Sequence, residues 1–146
     1  MSLSVPADDR FAILDLFARY SRALDTCDAD GYAALFTPDA TLGMGQRRFH
    51  GRDEIRDHVR EITSAATWPG YQHLNTQILF EEGDGRRCSV SCYSAILHLE
   101  EGGPRVVLQG IYRSICEKQD GFWYFAERLW ETWDPGKLAE YRPAPR

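Results

Sequence analysis

Apolar residues in the first part of the chain recur three and four positions apart. They are Ile13, Leu16, Phe17, Tyr20 and Leu24. This spacing puts them on one side of a helix that we predict over about residues 6–26. Pro6 suits the first helical turn, and the acidic pair Asp8 and Asp9 suits the positive end of the helix dipole.

Three shorter segments complete the amino-terminal half. A second helix is expected to begin at Asp28 or Asp30 and to end before Pro38, because a proline disfavours helical geometry at the residue that precedes it. Residues 40–49 predict a weak strand interrupted by glycines, and residues 52–66 predict a third helix.

From residue 71 onward the chain has the pattern of strands. Four long strands are predicted at residues 71–81, 87–100, 104–116 and 122–133. Short glycine-containing connectors separate them, as antiparallel hairpins require. Helices first and a hairpin-linked sheet second indicate an α+β fold with the helices packed on one face of the sheet. We predict one domain over residues 7–134 and an irregular, proline-rich tail over residues 135–146.

Strand parity predicts which side chains share a pocket, because successive side chains point to opposite faces of a sheet. One face is expected to collect His73, Asn75, Gln77, Cys92, Ser94, Ile96, His98, Leu108, Gly110, Tyr112, Phe122, Tyr124, Arg128 and Trp130. Such a mixture of polar and apolar side chains is typical of a ligand-binding surface. The opposite face also carries apolar residues, so a second subunit is expected to cover it.

Composition narrows the classes of function. A length of 146 residues fits one domain, and a net charge of −5 argues against a nucleic-acid binder, which usually has a basic face. The arginine pairs Arg47-Arg48 and Arg86-Arg87 lie beside predicted turns and are interpreted as solvated loop charges. No apolar run approaches the roughly 20 residues that cross a bilayer. Residues 1–9 contain no apolar signal core, so secretion is not expected.

The four cysteines point to a reducing compartment. Cys88 and Cys92 lie four apart on a predicted strand, about 13 Å from each other, too far for a disulfide or a shared zinc ion. Together with Cys27 and Cys116 they are interpreted as small buried hydrophobic residues, and a cytoplasmic location is expected.

Several short motifs, taken in order, resemble those of SnoaL-like proteins of the nuclear-transport-factor-two-like superfamily. They are the segment from Leu24 to Ala40, Gly51-Arg52-Asp53-Glu54-Ile55, His73-Leu74-Asn75, Gly110-Ile111-Tyr112, and Asp120-Gly121-Phe122-Trp123 followed by Arg128. The resemblance implies a cone-shaped α+β barrel, with three amino-terminal helices packed on a strongly curved, mainly antiparallel sheet. It also implies a homodimer or homotrimer formed through that sheet.

Scytalone dehydratase and bile-acid dehydratases of this superfamily pair an aspartate at the end of the first helix with a histidine at the start of the sheet. The matching positions are Asp25 and His73, and a second pocket histidine is matched by His98. Other positions depart from scytalone dehydratase, because Leu24 replaces a pocket tyrosine, and Gly110 and Tyr112 replace a serine and an asparagine. Scytalone itself is therefore not the expected substrate.

These residues would suit removal of water next to a carbonyl. A histidine can take the acidic α-proton and then protonate the departing hydroxyl, while a carboxylate fixes its tautomer. Asp25, His73 and His98 are therefore the candidate catalytic residues. The candidate substrate-binding residues are Tyr20, Asn75, Tyr112, Arg128 and Trp130. Tyr20 and Tyr112 could donate to an enolate oxygen, and Arg128 could bind a carboxylate or hold Asp25.

Each assignment has a structural alternative. His73 could be a core histidine, Asp25 could cap the second helix, His98 could lie at the solvent rim, and Arg128 could form a surface ion pair. His50 and His58 are expected to be exposed. The spacing of the histidines and acidic residues predicts no metal site, and no cofactor is expected.

The preferred interpretation is a cofactor-independent enzyme: a lyase of the dehydratase type, or an isomerase or cyclase. Its ligand would be a small, hydrophobic, oxygenated molecule resembling a polyketide, steroid or terpenoid, and neither nucleic acid nor membrane is an expected partner. The alternatives are a non-catalytic ligand-binding protein and an accessory protein like the β subunits of ring-hydroxylating dioxygenases.

Overall fold

The structure is a computed structural model that describes residues 3–145. Its helices are α1 (Ala7–Asp25), α2 (Ala29–Ala33) and α3 (Gly51–Thr63), with short 3-10 helices at Trp68–Gly70 and Pro135–Lys137. Its strands are β1 (Phe36–Met44), β2 (Arg47–His50), β3 (Tyr71–Gly83), β4 (Arg87–Glu100), β5 (Gly103–Gln119) and β6 (Phe122–Thr132).

The six strands form one sheet in the order β2-β1-β6-β5-β4-β3. All neighbours are antiparallel except β1 and β6, which run parallel. The three helices pack on one face of this sheet, α1 against β3 and β6 and α3 against β1 and β2. The predicted α+β fold is therefore confirmed.

The segment between α2 and α3 differs from its prediction. Strand β1 begins at Phe36 and runs through Pro38, so the proline lies inside an irregular strand instead of after a helix. A turn at Gly45, where φ is 61°, then reverses the chain into the separate strand β2. Glycine tolerates this left-handed conformation without the steric cost that a Cβ would bring.

Two β-bulges overturn part of the predicted strand parity. At Gln77, where φ is 46°, the β3 register shifts, so Gln77 is exposed while Ile78 packs against the core. In β6, Phe125 pairs with Cys116 and Glu127 with Ile115, which leaves Ala126 as an extra residue. One inserted residue exchanges the faces of every side chain on one side of it.

The β6 bulge makes the predicted face of Phe122 and Tyr124 wrong. Trp123 and Phe125 are buried instead, whereas Phe122 is 68% exposed. Arg128 and Trp130 lie beyond the bulge. Of the two, Arg128 is completely buried, and Trp130 is partly buried against the core.

The carboxyl-terminal segment folds back over the outer face of the sheet. Trp133 packs edge-on against Tyr93 of β4, and Tyr141 stacks on Trp133 with 4.5 Å between ring centroids. The segment predicted as an irregular tail therefore contains one 3-10 helix and covers part of that face. Leu99 and Val106 stay exposed on the neighbouring strands, and association through the sheet stays a prediction.

Two further sequence expectations concern the cysteines and the membrane. Cys88, Cys92 and Cys116 are buried free thiols, but Cys27 is exposed, because it lies in the turn after α1 with a φ of 62°. Among the helices of residues 3–145, none has both the length and the apolar character needed to cross a bilayer.

Candidate functional site

A cavity of about 620 Å³ lies between the helices and the inner face of the sheet. Its apolar wall includes Leu24, Val59, Ile62, Trp68, Ile96 and Leu108. Its polar side chains are Tyr20, Tyr32, Arg47, His58, Thr67, Tyr71, His73 and Tyr112. A mainly apolar wall with a few polar groups, and a volume of this size, suit a small organic molecule.

Asp25 lies behind the wall of this cavity and contacts His73, whose ring lines it. Asp25 is the last residue of α1 and His73 lies near the start of β3, and their Oδ1 and Nδ1 atoms are 2.6 Å apart. The same carboxylate also accepts the backbone N–H of His73, at 3.0 and 3.1 Å. A carboxylate can only accept, so Nδ1 carries the proton and Nε2 is left as a free acceptor.

The alternative role for Asp25, capping the second helix, belongs to another residue. The Asp28 carboxylate accepts the backbone N–H of Gly31 at 2.9 Å, which is the bond expected of a helix N-cap. The Asp25 side chain is directed to His73 instead, with 18% of its surface exposed.

Trp68 holds the His73 ring in position. The two rings stack with centroids 5.7 Å apart, and the Trp68 indole N–H donates to the carbonyl oxygen of Leu24 at 3.0 Å. The imidazole is therefore held by Asp25 on one side and by an anchored indole on another. Such support keeps a polar side chain oriented toward the cavity without the entropy of a free rotor.

Two tyrosine hydroxyls form the second polar group of the wall. The Tyr20 and Tyr112 oxygens are 3.1 Å apart, and both residues line the cavity. Burial, followed by the proximity of Tyr20, raises the pKa of Tyr112 well above its ordinary value. Burial likewise raises the pKa of Tyr32, another tyrosine of the wall. Tyr112 and Tyr32 therefore keep their protons at neutral pH and can act as hydrogen-bond donors.

Arg128 lies behind this tyrosine pair and does not reach the cavity. Its side chain is completely buried, and its guanidinium donates to Ser114 Oγ at 2.8 Å and to Asn75 Oδ1 at 2.9 Å. Among residues 3–145, no carboxylate lies within ion-pair distance of it, so Arg128 neither holds Asp25 nor forms the surface ion pair considered above.

Aromatic rings enclose the guanidinium in place of a counter-ion. The ring centroids lie 3.8 to 4.7 Å from its central carbon and belong to Phe17, Tyr20, Tyr112 and Phe125. The negative faces of aromatic rings attract a cation, and the attraction is strongest where water is absent. Direct binding of a substrate carboxylate by Arg128 would require this cage to open.

Three other candidate residues also lie off the cavity wall. Asn75 links Ser21 Oγ, at 2.5 Å, to Arg128, so it supports the cage. The Trp130 ring lies against Gly110, where an added Cβ would come within 2.6 Å of the indole. His98 lies near the solvent side, with its Nε2 3.2 Å from the Thr67 carbonyl oxygen and its ring against Tyr71.

His58 and Arg47 line the cavity although the sequence analysis assigned them no role. His58 was expected to be exposed, but only 7% of its surface is accessible. The signal was present, since His58 shares the helical spacing of Ile55, Val59 and Ile62. Arg47 begins β2 at the cavity rim, beyond the turn that the predicted continuous strand omitted.

Within residues 3–145, no three His, Cys, Asp or Glu side chains are grouped so as to hold a metal ion. The polar chemistry of the cavity therefore rests on the histidines, the tyrosines and Arg47. A hydrogen-bonded aspartate–histidine pair facing an apolar cavity can accept and return a proton.

Comparison with known structures places this architecture among the cystatin-like, nuclear-transport-factor-two-like folds. Residues 6–129 match the model of the SnoaL-like domain, and the chain belongs to that family, as its motifs predicted. The wider superfamily includes polyketide cyclases and dehydratases. No curated protein matches the sequence significantly.

Three solved structures illustrate the likeness. A protein of unknown function from Mycobacterium tuberculosis is 26% identical with a TM-score of 0.80, over 87% of this chain and 77% of that one. A nuclear-transport-factor-two-like protein from Novosphingobium aromaticivorans is 21% identical with a TM-score of 0.82, over 92% and 88%. A protein from the same organism, provisionally named a scytalone dehydratase, is 24% identical with a TM-score of 0.75, over 88% and 89%.

Proposed function

We propose that the protein is a cofactor-independent lyase of the dehydratase type, or an isomerase or cyclase, that acts on a small oxygenated organic molecule. The observation that carries this proposal is the 2.6 Å hydrogen bond between Asp25 and His73 Nδ1 at the cavity wall. This bond leaves Nε2 of His73 as the proton acceptor. In residues 3–145 no hydrogen bond to a protein group occupies that atom.

In the proposed reaction, Nε2 of His73 takes a proton from the carbon next to a carbonyl group. The electron pair of that C–H bond moves to the carbonyl oxygen as an enolate, and Asp25 stabilises the imidazolium that forms. The hydroxyls of Tyr20 and Tyr112, which lie together on the wall, are the proposed hydrogen-bond donors to the enolate oxygen.

The enolate then has two outcomes that conserve the same proton. Collapse of the enolate can expel a β-hydroxyl, which leaves as water after taking the proton from His73, and a carbon–carbon double bond forms. Alternatively, His73 returns the proton to a different carbon, which is an isomerisation. Both outcomes balance without an oxidant, reductant or metal ion.

The apolar wall favours a substrate with a hydrophobic skeleton. Leu24, Val59, Ile62 and Ile96 offer no hydrogen bonds, whereas Trp68 offers a large flat surface. A ring system like that of a polyketide, steroid or terpenoid would bury its apolar area here, at roughly 25 cal/mol per Å². The mechanism also works best with water excluded from the enolate.

Deuterium exchange tests the proposal before the natural substrate is known. A panel of apolar β-hydroxy-ketones is incubated with the protein in D₂O, and loss of the α-proton signal is followed by NMR. We expect exchange that His73→Gln slows by about 10²–10⁴-fold, the usual contribution of a general base.

His50→Gln is the matched control, because His50 lies on the exposed end of β2 and contacts Thr41. Its exchange rate should equal that of the wild type. If the wild type binds panel members without exchanging any proton, or if His73→Gln exchanges as fast as the wild type, the acid–base proposal is wrong. Binding without exchange would favour the ligand-binding alternative.

A further inference from the structure

The cavity has a charge bias opposite to that of the chain. The chain carries 22 acidic and 17 basic residues, for a net charge of −5. The part of the cavity wall that residues 3–145 form nevertheless contains Arg47, His58 and His73 and no aspartate or glutamate. The nearby carboxylate of Asp25 is engaged by His73, and the buried cation Arg128 lies behind the tyrosines.

Arg47, Phe49 and His58 form a cluster at the rim of this cavity. Arg47 and Phe49 are on the same side of β2, and the guanidinium carbon of Arg47 lies 5.0 Å from the Phe49 ring centroid. The His58 ring stacks on Phe49 with centroids 4.0 Å apart and an angle of 18°. Phe49 therefore positions both polar side chains.

The guanidinium of Arg47 is available to a ligand. The residue is exposed, and in residues 3–145 no aspartate or glutamate oxygen lies within 4.0 Å of it. Its neighbour Arg48 behaves differently, because its guanidinium donates to the carbonyl oxygens of Gly45 and Arg47 at 2.7 and 2.9 Å. Of the two adjacent arginines, Arg48 is therefore bound to the backbone, whereas Arg47 lines the cavity.

His58 offers one N–H to the same region. Its Nδ1 is buried and has no hydrogen-bond partner in the described chain, whereas Nε2 is not among the buried unpartnered atoms. A buried N–H without an acceptor is rarer and costlier than a bare acceptor, so the proton of the neutral ring belongs on Nε2. His58 lines the cavity together with Arg47, so this N–H is the donor that the residue has available for a ligand there.

We propose that Arg47 and His58 together bind a carboxylate at the rim, so that the substrate is an apolar carboxylic acid whose reacting carbon reaches His73. The guanidinium attracts the carboxylate by its charge, and a hydrogen bond from the imidazole N–H orients it. This inference rests on the proposed function for the position of the reacting carbon, but the carboxylate site itself is tested by binding alone.

Two probes of nearly equal shape test the site, 2-naphthoate and the neutral 2-naphthamide. Calorimetric titrations are made with the wild type, Arg47→Gln, His58→Phe and the control Arg48→Gln. We expect the wild type to bind 2-naphthoate about tenfold more tightly than 2-naphthamide, the worth of one charge-assisted contact. Arg47→Gln should abolish that preference, and Arg48→Gln, which removes the same charge, should keep it.

His58→Phe retains the stacking on Phe49 and removes the N–H donor. It should weaken 2-naphthoate binding severalfold and leave 2-naphthamide binding unchanged. Equal affinity of the wild type for the two probes would overturn the carboxylate site. So would an absence of saturable 2-naphthoate binding, or equal effects of Arg47→Gln and Arg48→Gln.

His73→Gln separates this inference from the proposed function. It should bind 2-naphthoate with the same preference over the amide as the wild type, because it changes the base and not the rim. A carboxylate preference that depends on Arg47, in a protein that exchanges no α-proton, would support the carboxylate site and reject the catalytic proposal. Loss of the preference in His73→Gln would instead place the anion at His73 and overturn the rim assignment.

Discussion

Asp25 and Arg128 are opposite charges in the same half of the molecule, and the fold accommodates them differently. Asp25 has three hydrogen bonds from a single residue, His73, whose ring lies on the cavity wall. Arg128 is completely buried, has two neutral hydrogen-bond partners and is enclosed by aromatic rings. Its Nε has no partner in the described chain.

The difference shows which charge can take part in proton transfer. The charge of Asp25 is connected to the cavity through the ring of His73, whose Nε2 is free to accept a proton. The guanidinium of Arg128 cannot lose its proton under ordinary conditions and has no path to a ligand. It can act on the cavity only through its electric field, which passes through Tyr20 and Tyr112.

Asp25→Asn tests this difference with the largest expected effect. The neutral amide of asparagine cannot stabilise an imidazolium. It also offers an N–H where His73 Nδ1–H needs an acceptor, so the proton of the ring is no longer fixed on Nδ1. We expect the α-proton exchange rate to fall by about 10²–10⁴-fold. Exchange in D₂O, followed by NMR, measures it.

Asp28→Asn is the matched control for that substitution. Asp28 caps α2, and asparagine is about as good a capping residue as aspartate, so both exchange and stability should stay close to wild type. An Asp25→Asn protein that exchanges protons at the rate of Asp28→Asn would show that Asp25 is a structural residue.

Arg128 is tested by stability instead of activity. Arg128→Ala empties the aromatic cage and should lower the free energy of unfolding by about 3–5 kcal/mol. Arg128→Met refills the cage with a flexible apolar side chain, so its free energy of unfolding should fall by less than that of Arg128→Ala. The remaining cost of about 1–3 kcal/mol comes from Ser114, which loses its donor, and from Asn75 Oδ1, which keeps only the weak thiol donor of Cys92. Urea denaturation of the two variants gives both values.

The comparison between the two variants decides what the cage does. If methionine costs as much as alanine, the charge itself stabilises the fold, and the rings act as a true counter-ion. If methionine is well tolerated but slows α-proton exchange, Arg128 contributes its field to the proposed reaction. If Arg128→Met has the α-proton exchange rate and the free energy of unfolding of the wild type, the Arg128 side chain only fills the volume of the cage.

Periodicity and hairpin connectors predicted the architecture because they depend on residues close in sequence. The apolar residues on one side of α1 and the glycine-containing turns between the long strands were sufficient to predict the α+β class. The proximity of Asp25 and His73, 48 residues apart, came from the resemblance, since no local pattern joins the end of a helix to the start of a distant strand.

The site was harder to predict where single residues change the geometry. The bulges at Gln77 and Ala126 exchange the strand faces, and composition gives no sign of either. A buried arginine paired with rings has no motif, so Arg128 was expected at a ligand. The burial of His58 was predictable from its helical spacing, although the residue was expected to be exposed.

His58 adds a third ionisable group to the comparison of Asp25 and Arg128. It is buried and stays neutral. Burial first, and then the charge of Arg47, lowers its pKa below the ordinary value of 6.5, while Glu61 acts in the opposite direction. In the unfolded chain the ring takes up a proton as the pH falls through about 6.5, but the folded ring does so only at lower pH. The unfolded state then binds more protons, so acid lowers the free energy of unfolding.

The smallest expected effect is therefore a change in pH dependence. Between pH 7.5 and 5.5, the wild type should lose more thermal stability than His58→Phe, which keeps the stacking and cannot be protonated. His50→Gln retains His58, so acidification should still remove the part of its thermal stability that depends on the His58 ring, as in the wild type. A wild type that loses no more stability than His58→Phe would mean that the folded protein accommodates a charged ring at position 58. The neutral donor proposed at the cavity rim would then be wrong.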